Sequence, residues 1–561
     1  QTTSCQQVLS QALASCTDPC DLHLAPGDYI LDDAEHTTSW AINGRHGLSI
    51  FAHGARFLLK GLRGGLSFSA CSNLTVKELT IDMARQPYSY GRAVNVTATT
   101  SRLAINTTTY PFPSNIEWLG TVQSVLGYDP KAMAPTAAPN AVDIYELSGV
   151  PSPFDAATSS LSLPFGSSRG IQEDAWYIAR HHVYGLNGIT LASCVGVRIA
   201  DVTMFSTPGM GVYAGLSSDV DVDGLKVAKL ADRPMSITAD ATHFNSCWGK
   251  VTLRNSLLEG QGDDGTNIHG QYRQVVAVPV GNNVTLADRV MSPSVPDTSQ
   301  IGHRFAFRSR HNMSVEFVTH LVAVDTTTST ARIPPDLIPT LSQPYPNPIP
   351  PYPAEQATFG DVLPSSVAAW DLVLDVDALP KAWVYNNTFR RNRARGALVK
   401  VSGAVVQGNV FQQTTVSGVY ADPDGCYWLE ADVVDGWSVI NNTFDNVDTW
   451  ATGLGSVYLS SCIPNFDKSG RPETTGHPVA GTQVHSNVAV TSNVFLRNHG
   501  VGRGPVVNLD AVENITIANN YVVDDSSSGD FAVSSSTGLT ESDNHCVDSS
   551  GLARKCIFSH Q

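Results

Sequence analysis

The sequence predicts an all-β chain, a right-handed parallel β-helix carrying two inserted small β-barrel-like subdomains, and three observations carry that prediction. With 45 Gly and 32 Pro among 561 residues and 15% charged residues, turns and short strands are favoured over long helices, whose interiors Gly and Pro weaken. Several segments share one grammar, an apolar alternation ending in a polar turn: GVRIADVTMF, DVDVDGLKVA, GKVTLRNSLLEG, AWVYNNTFRRN, GAVVQGNVFQQ, DGWSVINNTFDN, NVAVTSNVFLRN and NITIANNYVVDD. Corresponding positions recur at 22 residues, from Asp201 to Asp223 and from Asn387 to Asn409, which suits one coil stacked on the next. A propeller blade needs a repeat of about 40 residues, and a sandwich gives no reason for repeated NNTF-like turns. Asparagines at equivalent turns tolerate left-handed backbone and form ladders, so their first role is structural.

Along the chain, residues 1–99 read as an N-terminal cap and the first coils, because the apolar end of a solenoid must be covered. Residues 100–165 alternate without the coil period and read as a first inserted β subdomain; residues 166–271 return to coils and hold the densest polar cluster. Residues 272–380 read as a second insertion. Within it, residues 334–353 contain nine prolines, a composition that favours extended polyproline II and excludes central strands. Residues 381–561 form the C-terminal coils and a disulfide-rich end.

The formal net charge of −16, with no Lys/Arg block, opposes binding to nucleic acid or to an anionic membrane. No run of 18 apolar residues and no leader pattern is present, and a start at Gln1 fits a processed mature chain. Eight Asn-x-Ser/Thr sites, at Asn73, Asn95, Asn106, Asn283, Asn312, Asn386, Asn441 and Asn514, point to glycosylation of a secreted, extracellular eukaryotic protein. Ten cysteines agree, with local bridges expected among Cys5, Cys16 and Cys20 and between Cys546 and Cys556. Cys16 and Cys20 lack a second cysteine pair or a histidine at ligand spacing, so no zinc site is expected.

The polar cluster runs ITADATHFNSCWGKVTLRNSLLEGQGDDGTNIHG. Asp240 precedes Asp263 by 23 residues, close to the coil period, so the two should lie on adjacent coils about 4.8 Å apart if stacked. Asp264 adds a third carboxylate. Crowded carboxylates raise the pKa of at least one while another stays ionised, the division of labour that glycosidic hydrolysis requires. An inverting pair stands about 6.5 to 9.5 Å apart. A Ca²⁺ site and a structural turn in which Asp caps backbone groups are the competing readings. His243 and His269 are placed to bond a sugar hydroxyl or to orient an aspartate, or else serve structure. No serine elbow and no phosphate loop is present. RRNRARG, residues 390–396, offers Arg393 and Arg395 as substrate clamps or as partners that hold aspartates charged, against the reading of a solvated charge run. Trp428 and Glu430 in GCYWLE, and Trp248 in NSCWGK, are candidate sugar contacts, with core packing the alternative for each tryptophan.

Taken together, ADATHFNSCWGKVTLRNSLLEGQGDDGTNIHG followed by NRARG and YWLE resembles the β-helical α-1,3-galactosidases of glycoside hydrolase family 110, over roughly residues 25–530. That resemblance implies small β-barrel insertions, an inverting exo-enzyme that removes terminal α-1,3-linked galactose from an oligosaccharide or polysaccharide, and no metal or cofactor. It implies Asp240, Asp263 and Asp264 as the catalytic acids, with Asp263 expected as proton donor and Asp240 and Asp264 holding the water. Asn267, His269, Arg393, Arg395 and Glu430 are the implied galactose contacts. Gly265 stands where the family turn more often has alanine, and Trp248 where an arginine is expected; the eight sequons and ten cysteines point to a secreted, fungal-type member. Other readings of the same residues are a β-helical hydrolase of galacturonate-type or other plant or algal polysaccharide, a polysaccharide lyase, and a non-catalytic carbohydrate-binding solenoid.

Overall fold

The computed structural model describes the chain except residues 1–4, 33–38, 114–115, 277–278, 288–297, 326–353, 427, 467–471, 477, 479–481, 497–503, 525–528 and 561. The proline run and its expected extended conformation lie outside the described residues.

Each coil contributes one short strand to each of three parallel sheets, and the registers fix the stacking. Val195–Ala200 pairs in parallel with Ser218–Asp223, which pairs in turn with Trp248–Arg254. Ile189–Ala192, Val212–Gly215, Thr242–Asn245 and the first half of Thr266–Val275 form the third sheet, continued by Ala397–Lys400. The fold is a parallel β-helix. Alternation decides what faces inward: Phe244, Ile268 and Val399 are fully buried, while their neighbours point out of the coil.

The NNTF grammar has two uses. In Asn386-Asn387 and Asn441-Asn442 the first asparagine is exposed at φ of 55°, and the second is buried. The buried ones form a ladder in which the Nδ2 of Asn387, Asn409, Asn442, Asn493 and Asn520 each donates to the Oδ1 of the next, at 3.0 to 3.1 Å, ending on Asn544. Phe389, Phe411, Phe444 and Phe495 stack beneath it with ring centroids 4.9 to 5.0 Å apart. The one α-helix among the described residues, Cys5–Ser15, covers the N-terminal coils, where buried Leu9 joins the solenoid core and Arg45 donates to the helix-end carbonyls of Leu13 and Cys16. Cys16–Cys20 and Cys546–Cys556 are bridged, and a third bridge, Cys426–Cys462, joins segments that sequence spacing did not pair. Cys5, Cys71, Cys194 and Cys247 remain thiols.

Both insertions are antiparallel, but they differ. The second closes into a six-stranded barrel in the order Thr266–Val275, Asn283–Ala287, Ala354–Phe359, Val315–Asp325, Arg304–Arg308 and Leu372–Asp375, the last pairing back to the first. The first is an eight-stranded antiparallel sheet that curls round on itself: Asp143–Pro151 pairs with Thr121–Asp129, and Phe154–Asp155, just beyond it in the chain, pairs with Ser160–Leu163 at the other end of the strand order. It runs from Tyr88–Val94 to Trp176–Arg180, wider than residues 100–165, because its first and last strands alternate as coil strands do. Among the described residues no helix is long and apolar enough to cross a membrane.

Candidate active site

A cavity of about 140 Å³, open to solvent, lies on the outward face of the third sheet. The registers build it. Thr242 opposite Thr266, and Thr266 opposite Ala397, place Asp264 over Asp240 and Arg395 over Asp264. Asp263, one residue out of that column, turns to the adjacent side. Glycine is required on both flanks: a Cβ on Gly262 would lie 2.4 Å from the Thr238 carbonyl oxygen, and one on Gly265 would lie 2.3 Å from the Phe389 ring. The same alternation presents His243 and Asn245, then Asn267 and His269, to the cavity.

The three carboxylates converge to within 4.8 Å, and each is buried. Asp263 is saturated with donors. Arg393 Nη1 donates to its Oδ1 at 2.5 Å, Tyr145 donates to its Oδ2 at 3.0 Å, and Tyr184 donates to the same oxygen. Burial pushes this carboxyl up, but Arg393, the Tyr184 bond, Arg395 and Arg180 outweigh it and hold Asp263 below the usual carboxylate range. Asp264 behaves oppositely. Burial pushes it up to about 8, with Asp263 and Asp240 adding to the rise and Arg395 only partly opposing it, although the Arg395 amide donates to Oδ1 at 2.8 Å. Asp240 is also raised by burial, offset in part by its bond to His243 Nδ1 at 2.7 Å. The site therefore holds at least one permanent carboxylate beside at least one carboxylic acid at neutral pH.

His243 Nε2 meets His269 Nε2 at 2.9 Å, and His269 Nδ1 donates to the Gly270 carbonyl at 2.6 Å. Burial lowers His269 to about 4, whereas the Asp240 bond carries His243 above its ordinary value against burial. Glu430 accepts from Asn267 at 3.1 Å and from buried Lys400 at 2.9 Å; despite burial, the Lys400 ammonium holds it well below the carboxylate range. The oxygens of the aspartate trio, and the His243, His269 and Glu430 atoms, are each close enough to surround a cation. In both sets the chain supplies its own countercharge, from Arg393 and Arg395 in one and Lys400 in the other, so neither is read as a metal centre.

The structure thus gathers Asp240, Asp263, Asp264, His243, Asn267, His269, Arg393, Arg395, Trp428 and Glu430 around one cavity. Trp248 does not line it. The turn at Ser246 and Cys247 carries the chain from the third sheet into the first, and the Trp248 ring meets His303 at 6.4 Å instead. Of the four arginines in RRNRARG, Arg390 and Arg391 pair with Glu259, so only Arg393 and Arg395 serve the site. Sequence reasoning missed Tyr145, Tyr184, Tyr213 and Lys400. Tyr213 is in register with His243 and Lys400 with His269, so the coil period contained the signal for both. Tyr145 and Tyr184 carried no such signal.

No family model matches the chain. Among curated proteins it is similar to alpha-1,3-galactosidase A of Shewanella woodyi, 27% identical over 329 residues, covering 58% of this chain and 47% of that protein. It is similar to alpha-1,3-galactosidase B of Parabacteroides distasonis, 27% identical over 354 residues, covering 60% and 51%, and to alpha-1,3-galactosidase B of Akkermansia muciniphila, 24% identical over 483 residues, covering 84% and 56%. The chain spans about half the length of these relatives. They are bacterial and lend no support to a fungal-type source. Among solved structures it is similar to the family 28 exopolygalacturonase of Yersinia enterocolitica, at 11% identity and a TM-score of 0.41, covering all of this chain and 74% of that one. The relatives found by sequence therefore share one printed activity, cleavage named for α-1,3-linked galactose, and the chain's own strand registers supply the β-helix that carries the carboxylates.

Proposed function

We propose that this chain is a glycoside hydrolase of the α-galactosidase kind, cleaving terminal α-1,3-linked galactose from an oligosaccharide or polysaccharide. The observation that carries the reading is the buried trio in which Asp263 is held ionised while Asp264 keeps its proton. The names of the sequence relatives support the sugar and linkage. The expected roles shift: the proton donor to the leaving oxygen is the Asp240–Asp264 side, with Asp264 carrying the proton, and Asp263 is the standing charge that polarises water and the developing cation. Asn267 Oδ1 and Arg395 Nε are buried without a hydrogen-bond partner and serve sugar hydroxyls, with Trp428, 36% exposed, as a ring platform at the rim.

The lining favours a neutral sugar. Its two arginines already face Asp263 and Asp264 and Lys400 faces Glu430, so no cation beside the cavity is reserved for a galacturonate carboxylate. The carboxylates stand closer than the about 6.5 to 9.5 Å of a simple inverting pair. Inversion is retained in the proposal because Asp263, with both oxygens bound to donors, is a poor covalent nucleophile. The test is a panel of p-nitrophenyl glycosides with α-1,3-galactobiose, following the first anomer by NMR. Release of β-galactose supports the reading; α-galactose first overturns inversion, and no α-galactoside turnover overturns the activity.

Secretion and glycosylation belong to the same proposal. Seven of the eight sequon asparagines are exposed and Asn312 is half-buried. Expression in a eukaryotic secretory host with a glycosidase mass shift is the check.

A further inference from the structure

We propose that the first insertion is part of the active site, through a two-residue latch, Asp143 and Tyr145, on one strand, that positions the Asp263 carboxylate. This rests on the glycosidase reading above. Both residues lie on Asp143–Pro151, which belongs to the inserted sheet and not to the solenoid. Tyr145 and Asp263 are 118 residues apart in sequence, yet the phenol donates to Asp263 Oδ2 at 3.0 Å.

Asp143 reaches the same carboxylate through an intermediary. Its Oδ2 accepts from Arg393 Nη2 at 2.9 Å and from Nε at 3.1 Å, while Nη1 of that guanidinium is spent on Asp263 Oδ1. A guanidinium gripped on two edges has a fixed plane, because its donors form a rigid fork. The Tyr145 ring fills the remaining direction, with the Arg393 guanidinium 4.3 Å from its centroid and that of Arg180 at 4.7 Å. Arg180 comes from another strand of the same inserted sheet and donates to the carbonyls of Thr238 and Gly262, the segments leading to Asp240 and Asp263. The insertion therefore touches the catalytic turn from the side, by charge, by ring and by hydrogen bond. Without it, Arg393 would lose the carboxylate that grips its Nη2 and Nε edge, and Asp263 would lose the Tyr145 donor.

Neither latch residue needs to meet the sugar, so both are positioning residues, and their loss should act on turnover and on the pH profile more than on binding. Tyr145→Phe keeps the ring between the two guanidinium groups and removes only the donor. The acid limb of its pH–rate profile should move up by about one unit, because Asp263 loses a bond that favours its charged form. Asp143→Ala frees Arg393; kcat should fall about tenfold to a hundredfold with KM little changed, and Asp143→Glu should restore most of it. An acid limb in Tyr145→Phe identical to wild type, or wild-type kcat in Asp143→Ala, overturns the latch. If the wild type cleaves no glycoside, the activity reading fails first, and the latch is read without substrate. In protein labelled at the aspartate carboxyl carbons, with the Asp263 signal assigned through Asp263→Asn, that signal should titrate at higher pH in Tyr145→Phe. An unmoved titration overturns the latch on its own.

Discussion

His243 and His269 face each other Nε2 to Nε2 at 2.9 Å, with each ring's other nitrogen already engaged, one with Asp240 and one with the Gly270 carbonyl. Two bare lone pairs at that distance repel, so a proton occupies the gap. His243 carries it, since the Asp240 bond favours its charged form while burial keeps His269 neutral. Around the pair stand Asp240, Asp264, Glu430, Lys400 and Tyr213. His269→Phe removes the acceptor and lets His243 turn from Asp240. Steady-state kinetics should show kcat down by about tenfold or more with KM within about threefold; unchanged kcat would refute the chain.

The opposed carboxyls predict an activity window. The alkaline limb of kcat/KM should fall near pH 8, where Asp264 loses its proton, and the acid limb below 3.8, where Asp263 gains one. Asp264→Asn should lower turnover of α-1,3-galactobiose by about two to four orders of magnitude, sparing substrates with good leaving groups. Stability follows the same group. The folded state binds more protons at Asp264 than the unfolded chain between pH 3.8 and about 8, so this contribution falls as pH rises through that window. A plot of Tm against pH should lose part of that slope in Asp264→Asn.

Gly265→Ala places a methyl 2.3 Å from the Phe389 ring and 2.4 Å from the Gly396 carbonyl oxygen. The turn beside Asp264 and the head of the phenylalanine stack must then shift. A loss of about 1 to 3 kcal/mol is expected in denaturant melts, together with reduced activity.

Asn442→Ala removes a central rung. Its Oδ1 accepts from the Asn409 amide and side chain, and its Nδ2 donates to Asn493 Oδ1 and the Val406 carbonyl. The buried groups left on both sides should cost about 2 to 5 kcal/mol, against about 1 kcal/mol for Asn441→Ala, where only asparagine's tolerance of left-handed backbone is lost. Equal effects in the two variants would contradict the assignment.

Cys426 and Cys462 close a loop that carries Trp428 and Glu430. Replacing both by serine should cost about 2 to 4 kcal/mol of stability and raise KM, because rim and floor of the proposed sugar site lose their tether. Calorimetry with kinetics separates the two effects.

Much of the fold was legible because each coil repeats its own instructions: an NNTF turn states an exposed corner, a buried rung and a core ring within four residues. The carboxylate trio was legible for the same reason, since a period near 22 residues returns Asp240 to the DDG turn. Its internal order was not. The local register is 24 residues, which stacks Asp264 on Asp240 and leaves Asp263 to the side. Periodicity can mark a coil without resolving one residue. Trp248 reads from sequence as a sugar contact or a core residue, and two residues of turn are enough to carry it onto another sheet, away from the cavity. The tyrosines that hold Asp263 were invisible: Tyr145 sits in an unremarkable alternating strand, and only tertiary contact gives it a role.

The strand Thr266–Val275 begins in the solenoid and ends in the barrel without a break. Asn267 and His269 on its first half face the cavity, while Tyr272 to Gln274 on its second half are laddered to Leu374 and Leu372. Between the halves, Gly270 and Gln271 pair with Ala431 and Glu430. From Thr266 to Val275 every residue is laddered on at least one edge, so no unpaired joint separates solenoid from barrel. Swinging the barrel there would have to break those ladders, so the proposed sugar substrate is expected to meet a mouth of set width. Turnover in such a vessel is timed by bond cleavage or by diffusion, and viscosity should slow it only in the second case.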